Sequence, residues 1–440
     1  MPADPHEFLE AISPTLGTLY AALSAMNVVA AWRAWCAGAW ARRRSVAWLG
    51  LAAGFALAAF RAFHATPPEL PQSLKATLNA TLGPATFFFN AMLVLGGFYL
   101  GRQGWTRSWV GWLLLNAALG FFALSLADRH FAQLVLQPDN VPIVAMVFLL
   151  ALFTWLGAAQ AVQNDERLAT GRPPAEKDGN QSTLVWPDLV YIELITMVAL
   201  TALLIVWSLV IPAPLEAPAH PTQTPNPAKA PWYFLGLQEM LVFFDASIAG
   251  VVIPLLIIVG LAAIPYLDVN PRGSGYYTIR ERRFAYLIFQ FGFLQLWIVL
   301  ILVGTFFRGP NWNWYGLYEP RDPHVVSALN NVKLSEYFWT SWLGRAVPEV
   351  PARASGLVRF AHVVGRESAG LAALGCYFVG LPVLLGRTCF GPLRRQMGVA
   401  RYTIMMLLGL MMLALPLKMI LRWTCNLSYL VSMPEYNFNF

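Results

Sequence analysis

Apolar residues along this chain of 440 residues come in long blocks, separated by shorter polar stretches. Most blocks have about twenty residues, the length that a helix needs to cross a hydrocarbon core of about 30 Å. A backbone in lipid must satisfy its own hydrogen bonds, so helix is the expected structure of each block. The pattern predicts about ten transmembrane helices, at 12–35, 45–63, 84–101, 108–127, 142–162, 189–211, 247–267, 284–306, 368–386 and 402–423.

The composition supports an all-α integral membrane protein. Hydrophobic residues make up 57% of the chain and charged residues 12%, whereas a soluble domain averages about 25% charged residues. Strands of an outer-membrane barrel would alternate apolar and polar residues, and continuous runs such as FLLALF do not. The net charge of +7 does not indicate nucleic-acid binding, because the arginines lie mainly in short loops between apolar blocks.

Basic residues are concentrated in every second loop, and the opposite short loops hold little beyond Lys75, Arg129 and Lys229. The positive-inside rule places the basic loops in the cytoplasm. Ten spans then leave both termini on the periplasmic side of a bacterial inner membrane. The basic loops hold Arg42, Arg43 and Arg44; Arg102 and Arg107; Arg167, Arg172 and Lys177; Arg272, Arg280, Arg282 and Arg283; and Arg387, Arg394, Arg395 and Arg401.

A polar stretch at 163–186 divides the chain into two halves. We interpret 1–162 as a five-helix membrane region of unknown role, 163–186 as a cytoplasmic linker and 187–440 as a second domain. Two periplasmic segments of that domain, 212–246 and 307–366, interrupt the pattern of spans. Unstructured loops of this length are uncommon unless they have a function.

The histidines and cysteines do not form a recognisable haem or metal motif. A buried haem b needs paired histidines deep in apolar spans, and none of the six histidines lies at the centre of a predicted helix. His64 and His130 follow the second and fourth spans, so a haem between them is the remaining option. The four cysteines form no CxxC or CxxCH motif. We therefore expect this chain to ligate no metal and no haem.

Glu193, Lys418 and Arg422 fall inside predicted spans, where ionisable groups are candidates for function. Glu193 lies about one turn into the sixth span. It is a candidate for a proton path or for a hydrogen bond to a neighbouring subunit. Lys418 and Arg422 lie late in the tenth span, and we expect their long side chains to extend to the outer interface.

The segment 225–245, PNPAKAPWYFLGLQEMLVFFD, has the strongest functional pattern. It predicts a short amphipathic helix after a Pro-rich approach, at the periplasmic face. A quinol needs an apolar aromatic slot together with a polar group that takes its proton. An interfacial anchoring helix is the alternative. The candidate quinol-binding residues are Pro231, Trp232, Tyr233, Phe234 and Phe243, and the candidate catalytic residues are Glu239 and Asp245.

The letters of this segment resemble a known family. PWYF follows a Pro-rich stretch and a helix ending IPAPLE, which is similar to the ef-loop motif of cytochrome b, usually written PEWY. PNPAKAPWYFLGLQE, with FFRGPNWNW further on, resembles the C-terminal cytochrome b polypeptides of bacterial cytochrome bc-type quinol–cytochrome c reductases, which parallel subunit IV of the plant-type bf complex. The resemblance covers roughly 185–440, in which 187–216, 247–267 and 284–306 look like helices E, F and G.

The resemblance implies a function. The chain would be a membrane subunit of a quinol:cytochrome c oxidoreductase, forming part of the outer quinol-oxidation site and contributing to proton-coupled electron transfer. Haem b would belong to a companion cytochrome b subunit, the iron–sulfur cluster to a Rieske protein and haem c to a c-type cytochrome. The alternative is a quinone-binding or structural anchor subunit of another respiratory or photosynthetic complex.

One departure from the family affects the chemistry. Ala230 and Pro231 precede Trp232 and Tyr233, so Pro231 stands where the family has its glutamate. Another group must then accept the quinol proton. Glu239 lies seven residues after Trp232, about two helical turns, and is one candidate. Asp245 and a group on a partner subunit are the others.

Overall fold

The structure is a computed structural model, in which helices make up most of the chain and strands are two or three residues long. This confirms the prediction of an all-α protein with many spans. The structure describes residues 4–178, 184–210, 218–272, 277–327, 331–349 and 355–440.

Nine helices of the described residues are long and apolar enough to cross a membrane. The count is ten if a bent pair of helices, Gln72–Thr81 and Pro84–Leu100, forms one span. The helices of the N-terminal half are α1 (Pro5–Cys36), α2 (Ala39–Phe63), α3 (Gln72–Thr81), α4 (Pro84–Leu100), α5 (Arg102–Trp105), α6 (Ser108–Leu126), α7 (Arg129–Val135), α8 (Val141–Ala169) and α9 (Ala175–Asp178).

The described residues of the C-terminal half include five further helices that could span a membrane, one short helix before the second of them, and short helices in the segment 307–366. Its helices are α10 (Val185–Val210), α11 (Trp232–Met240), α12 (Ile248–Leu267), α13 (Arg283–Phe307), α14 (Leu334–Glu336, continued by Tyr337–Trp342), α15 (Gly356–Arg366), α16 (Ser368–Arg387), α17 (Gly391–Met397) and α18 (Val399–Cys425).

The described residues include four short strands, of which one lies in the segment 307–366 and three follow the last span. Strand β1 (Val332–Lys333) pairs in parallel with β2 (Leu427–Tyr429), and β3 (Ser432–Met433) pairs antiparallel with β4 (Phe438–Asn439). These pairs fold the C-terminal residues back over the end of α18.

The third predicted span, 84–101, is a helix of only 17 residues, and α3 meets it at an angle of 90°. The break has a local cause, because Gly83 precedes Pro84 at the first position of α4. A proline lacks the N–H that would continue α3 and disfavours helical geometry in the residue before it.

Helix α8 ends at Ala169 and so extends into the predicted linker 163–186. Asn164 holds this extension by donating to Glu176 and to the carbonyl of Tyr277, at 2.9 Å. Asp165 accepts the backbone N–H of Arg280, at 3.1 Å. The polar residues that suggested a linker therefore tie α8 to the loop between α12 and α13. Residues 179–183 lie outside the described part.

Helix α13 lies between the two halves and shares a core with each of them. Trp314 after α13 donates its indole N–H to Leu82, and the hydroxyls of Tyr318 and Ser125 are 2.9 Å apart. Gln295 within α13 donates to the carbonyl of Phe88. The N-terminal region thus supports α13 from one side, a role that its sequence did not indicate.

Helix α10 differs from the other spans because its residues 191–210 are all exposed. In the most apolar stretch of 18 residues in this helix, the mean hydropathy is 2.5 and none of the residues is buried. Glu193 lies on this exposed helix. A helix that is apolar all round and uncovered by its own chain is available to lipid and to other subunits.

The C-terminal residues are fastened to the start of α16 by charged contacts. Arg366 binds both carboxylate oxygens of Glu435, at 2.9 and 3.0 Å, and also pairs with Glu367. The other oxygen of Glu367 accepts the backbone N–H of Ser432. We call residues 427–440 the C-terminal clasp.

The sequence led us to expect the Lys418 side chain at the outer interface. In the structure it lies beneath the C-terminal clasp. Its side chain is 2% exposed. The ammonium group donates to the carbonyl of Ser428, at 2.6 Å, and lies 5.7 and 5.5 Å from the rings of Phe244 and Tyr429. The sequence expectation for Lys418 is wrong because the clasp covers this end of α18. Arg422, one turn later, is half-buried.

Replacing Gly370 by alanine is expected to loosen the clasp. A Cβ atom at this position would lie 1.9 Å from the carbonyl oxygen of Leu430, so the backbone must move. Overpacking of this kind costs about 1–3 kcal/mol. Limited proteolysis in detergent should release the clasp faster than in the wild type. Gly375→Ala in the same helix is the control, since its Cβ would meet nothing within 4 Å, and equal protection of the two variants would contradict the prediction.

Candidate functional site

Helix α11 presents three aromatic side chains at its first turn. Pro231 precedes the helix in an extended conformation and so fixes where it begins. Trp232, Tyr233 and Phe234 are 40–50% exposed, and their ring centroids lie 5.7 and 4.7 Å apart in succession. We call these three residues the aromatic patch. The second half of the helix is buried, through Leu235, Gly236, Glu239 and Met240.

The buried half of α11 packs closely on α13. A Cβ atom on Gly304 would lie 3.3 Å from Leu235, and one on Gly236 would lie 3.4 Å from Ile301. The two glycines therefore allow α11 to lie close against the end of a spanning helix. The aromatic patch is therefore presented from a fixed position.

Phe243 is separated from the aromatic patch by its burial. It is 3% exposed and packs edge-on against Trp423 of α18, with centroids 6.1 Å apart. Of the five predicted quinol-binding residues, Pro231 and the aromatic patch share an exposed surface. Phe243 instead belongs to the core beneath them.

Glu239 is 1% exposed and forms a two-pronged ion pair with Arg308 at the end of α13. The guanidinium nitrogens donate to both carboxylate oxygens, at 2.5 and 2.9 Å, and the indole N–H of Trp312 donates at 3.1 Å. Burial raises the pKa of Glu239 despite the opposing effect of Arg308. Both oxygens of this candidate proton acceptor are thus engaged within the chain.

The turn that carries Trp312 has an unusual backbone. Asn311 and Trp312 both have positive φ angles, 57° and 56°. Asparagine tolerates this conformation, whereas for tryptophan it costs about 1–3 kcal/mol. Arg308 contributes to holding the turn by donating to the carbonyl of Trp312, at 2.9 Å. The same arginine therefore neutralises Glu239 and fixes the indole that binds it.

The approach to α11 is attached at two places. Asn226 and Asn311 exchange hydrogen bonds of 2.9 and 2.6 Å. Gln238 of α11 accepts the backbone N–H of Ala230, at 2.8 Å, and donates to the carbonyl of Ala228, at 2.7 Å. These contacts fix the backbone on both sides of Lys229. Residues 211–217, at the start of the predicted loop 212–246, lie outside the described part.

Three basic side chains gather at the C-terminal end of α13. Lys229 donates to the carbonyl of Thr305, at 2.8 Å, and Arg321 donates to the carbonyl of Phe306, at 2.5 Å. Arg308 is the third, and Glu239 is its carboxylate partner. Burial and the neighbouring Arg321 lower the pKa of Lys229 to about 7.

Asp245 lies three residues before Ile248, the first residue of α12. One carboxylate oxygen accepts the backbone N–H and the hydroxyl of Ser247, at 3.1 and 3.0 Å. The other accepts from Asn439 of the clasp, at 3.0 Å. The hydrogen bonds from Ser247 and Asn439 lower the pKa of Asp245. Asp245 is thus a weaker base than a free aspartate.

Two clefts lie away from the aromatic patch, beside α5 and α8. The larger has a volume of about 360 Å³ and is lined by Gln103, Arg107, Gln163 and Glu166 among others. Both occur beside the loops that we predict to be cytoplasmic. The rings of the aromatic patch are exposed, so a ligand that binds there needs a second surface to cover it on both sides.

Comparison with known proteins identifies the segment that carries this geometry. Residues 218–316 match the family described as cytochrome b(C-terminal)/b6/petD. This segment is cytochrome b C-terminal-like. The match confirms the resemblance over the part of 185–440 that contains the aromatic patch, Glu239 and Arg308. It supports a cytochrome b-type electron-transfer subunit, and the spans make the chain a multi-pass membrane protein. No solved structure matches the chain.

The sequence did not indicate the basic cluster around Glu239. Arg308 and Arg321 follow the predicted span 284–306, and their positions in the sequence do not connect them with Glu239. A signal was nevertheless present, since Glu239 falls on the same side of α11 as Leu235 and Gly236. An acid on the apolar face of a short helix requires a basic partner.

Proposed function

We propose that this protein is a membrane subunit of a quinol:cytochrome c oxidoreductase of the cytochrome bc type. It forms one wall of the outer quinol-oxidation site and contributes to proton-coupled electron transfer. Its site lies on the periplasmic side of a bacterial inner membrane. The chain supplies binding and proton chemistry, and redox cofactors on its partners carry the electrons.

The observation that carries this proposal is the aromatic patch within the matched segment 218–316. Pro231, Trp232, Tyr233 and Phe234 are exposed although three of them are large aromatic residues. Exposed rings on a rigid support are typical of a surface that awaits a ligand or a partner. A quinol head group between this wall and a second subunit would be covered on both sides.

The family match of residues 218–316 supports partners for this chain. A haem-bearing cytochrome b subunit, a Rieske iron–sulfur protein and a c-type cytochrome would supply haem b, the iron–sulfur cluster and haem c. Glu193 on the exposed helix α10 is a candidate for a proton path or for a contact with such a partner.

Purification of the native complex tests this proposal. We expect a tag on the N-terminus to recover a haem b subunit and an iron–sulfur protein, with quinol:cytochrome c activity in the eluate. Recovery of a different electron-transfer complex without this activity would favour the alternative, a quinone-binding or structural anchor subunit. Pro231 in place of the motif glutamate is the observation that keeps this alternative open.

Expressed without partners, the chain is expected to show no b-type band in a reduced-minus-oxidised spectrum. His64 caps the end of α2 and His130 lies in the short helix α7, so neither is at the centre of a span. A band that belongs to this chain would contradict the prediction. The double variant His64→Ala/His130→Ala would then show whether these residues hold the haem.

A further inference from the structure

The outer site lacks the acid that the family places before its tryptophan, so a base must come from elsewhere. Glu239 has both oxygens engaged by Arg308 and Trp312. Asp245 holds hydrogen bonds that make it a weaker base. A third ionisable group, which the sequence did not single out, lies directly before the aromatic patch.

We propose that the amine of Lys229 accepts a proton from the quinol at the outer site. This inference rests on the proposed function, because it assigns a group within the same site. Lys229 is two residues before Pro231, the position at which the family has its acid. It thus lies next to the surface against which the quinol ring would pack.

The backbone around Lys229 is held in place by the helix that carries the aromatic patch. Gln238 of α11 binds Ala228 and Ala230, the two neighbours of Lys229. The side chain can therefore leave the backbone from a fixed point. Its nitrogen reaches the carbonyl of Thr305, at 2.8 Å, while the residue as a whole remains exposed. The amine is therefore anchored at a partly buried hydrogen bond, on a residue whose surface is exposed.

The charges around Lys229 favour its neutral form. Arg308 and Arg321 face it from α13 and the following loop, and Glu239 faces it from α11. Two guanidinium groups against one carboxylate disfavour a further positive charge. Partial burial acts in the same direction, and the pKa of Lys229 falls to about 7. A base with a pKa near the working pH is the most effective proton acceptor.

A neutral amine has the atoms that this step requires. One N–H continues to donate to Thr305, and the lone pair accepts the proton of a quinol hydroxyl. The O–H bond breaks, an N–H bond forms, and the quinol becomes a monoanion beside an ammonium group. Lys229 is assigned this first proton transfer only. The monoanion would then pass its two electrons to the iron–sulfur and haem carriers of the partners and its remaining proton to a base on a partner subunit, and the ammonium would release its proton to the periplasm. The hydroxyl of Thr305 is buried and has no partner among the described residues, so it offers a further donor.

Substitutions at Lys229 test whether this residue acts as a base or only as a positive charge. Lys229→Arg keeps the positive charge but cannot accept a proton, and Lys229→Gln keeps a donor for Thr305 without a base. Both variants should assemble with normal haem content and oxidise quinol about 10²-fold more slowly at pH 8. The wild-type rate should fall about tenfold per pH unit below pH 7, and the variants should lose this dependence. Lys177→Met, on the cytoplasmic side, is the control.

The outcomes distinguish the inference from the proposed function. A wild-type complex that oxidises quinol, with Lys229→Arg matching its rate and pH profile, overturns the inference and leaves the function intact. A purified complex that does not oxidise quinol overturns both.

Competitive labelling with acetic anhydride measures the protonation of Lys229 independently of turnover. In the purified wild-type complex at pH 7, Lys229 should acetylate much faster than the exposed Lys177, as read by mass spectrometry. A protonated lysine of ordinary pKa would react at the rate of Lys177. That result would also overturn the inference.

Discussion

Changing Glu239 to glutamine is expected to destabilise the protein by about 3–5 kcal/mol, the usual cost of removing one partner of a buried ion pair. Arg308, 12% exposed at its side chain, would lose its counter-charge. The amide of glutamine would also direct N–H groups at a guanidinium that has only donors. The midpoint of thermal unfolding in detergent should fall, and the yield of assembled protein with it.

Two variants make this prediction specific. Glu349→Gln removes an exposed carboxylate from the predicted periplasmic segment 307–366, which also holds Arg308, and should leave the unfolding midpoint unchanged. Glu239→Gln combined with Arg308→Met removes the unpaired charge and should recover part of the loss, because apolar replacements of a buried pair are often tolerated. If Glu239→Gln unfolds at the wild-type temperature but turns over slowly, Glu239 acts in proton transfer and its structural role is refuted.

Truncating the aromatic patch should have the opposite effect, with normal stability and lost turnover. In the double variant Trp232→Ala/Phe234→Ala, each lost ring of a well-packed binding site costs about 2 kcal/mol. Together they should lower kcat/KM for quinol by about 10²- to 10³-fold. Both side chains are exposed, so the unfolding midpoint should change little. Steady-state quinol oxidation by the purified complex measures the effect.

The matched control for the aromatic patch is another pair of exposed rings. Trp342 and Phe360 lie in the predicted periplasmic segment 307–366 and are 69% and 52% exposed. The double variant Trp342→Ala/Phe360→Ala should oxidise quinol at the wild-type rate. Equal losses in the two double variants would mean that the aromatic patch has no special role in binding.

Hydropathy predicted the spans because the apolar character of a span depends only on about twenty successive residues. The helices α12 and α13 begin within one residue of the predicted 247–267 and 284–306. The bend before Pro84 and the extension of α8 to Ala169 were less visible, since they depend on a Gly-Pro pair and on contacts of Asn164 and Asp165.

The candidate site was only partly visible in the sequence. The aromatic patch is local and comes from four successive letters. Arg308 is 69 residues from Glu239 and Lys229 is 76 residues from Thr305. The spacing of hydrophobic residues along the sequence does not predict such pairs, because they form only when α11 packs on the end of α13. For the same reason the sequence did not show that the clasp covers Lys418.

Helix α10 has a consequence for how a cell makes this protein. A newly inserted copy has one membrane helix that its own fold does not hold, and that helix carries the carboxylate of Glu193. Lipid can cover the apolar side chains, but an acid in a span remains unfavourable until a partner takes it up. Copies made in excess of their partners would therefore be targets for membrane quality-control proteases. The abundance of this chain would then be set by the supply of its partners and not by its own rate of synthesis.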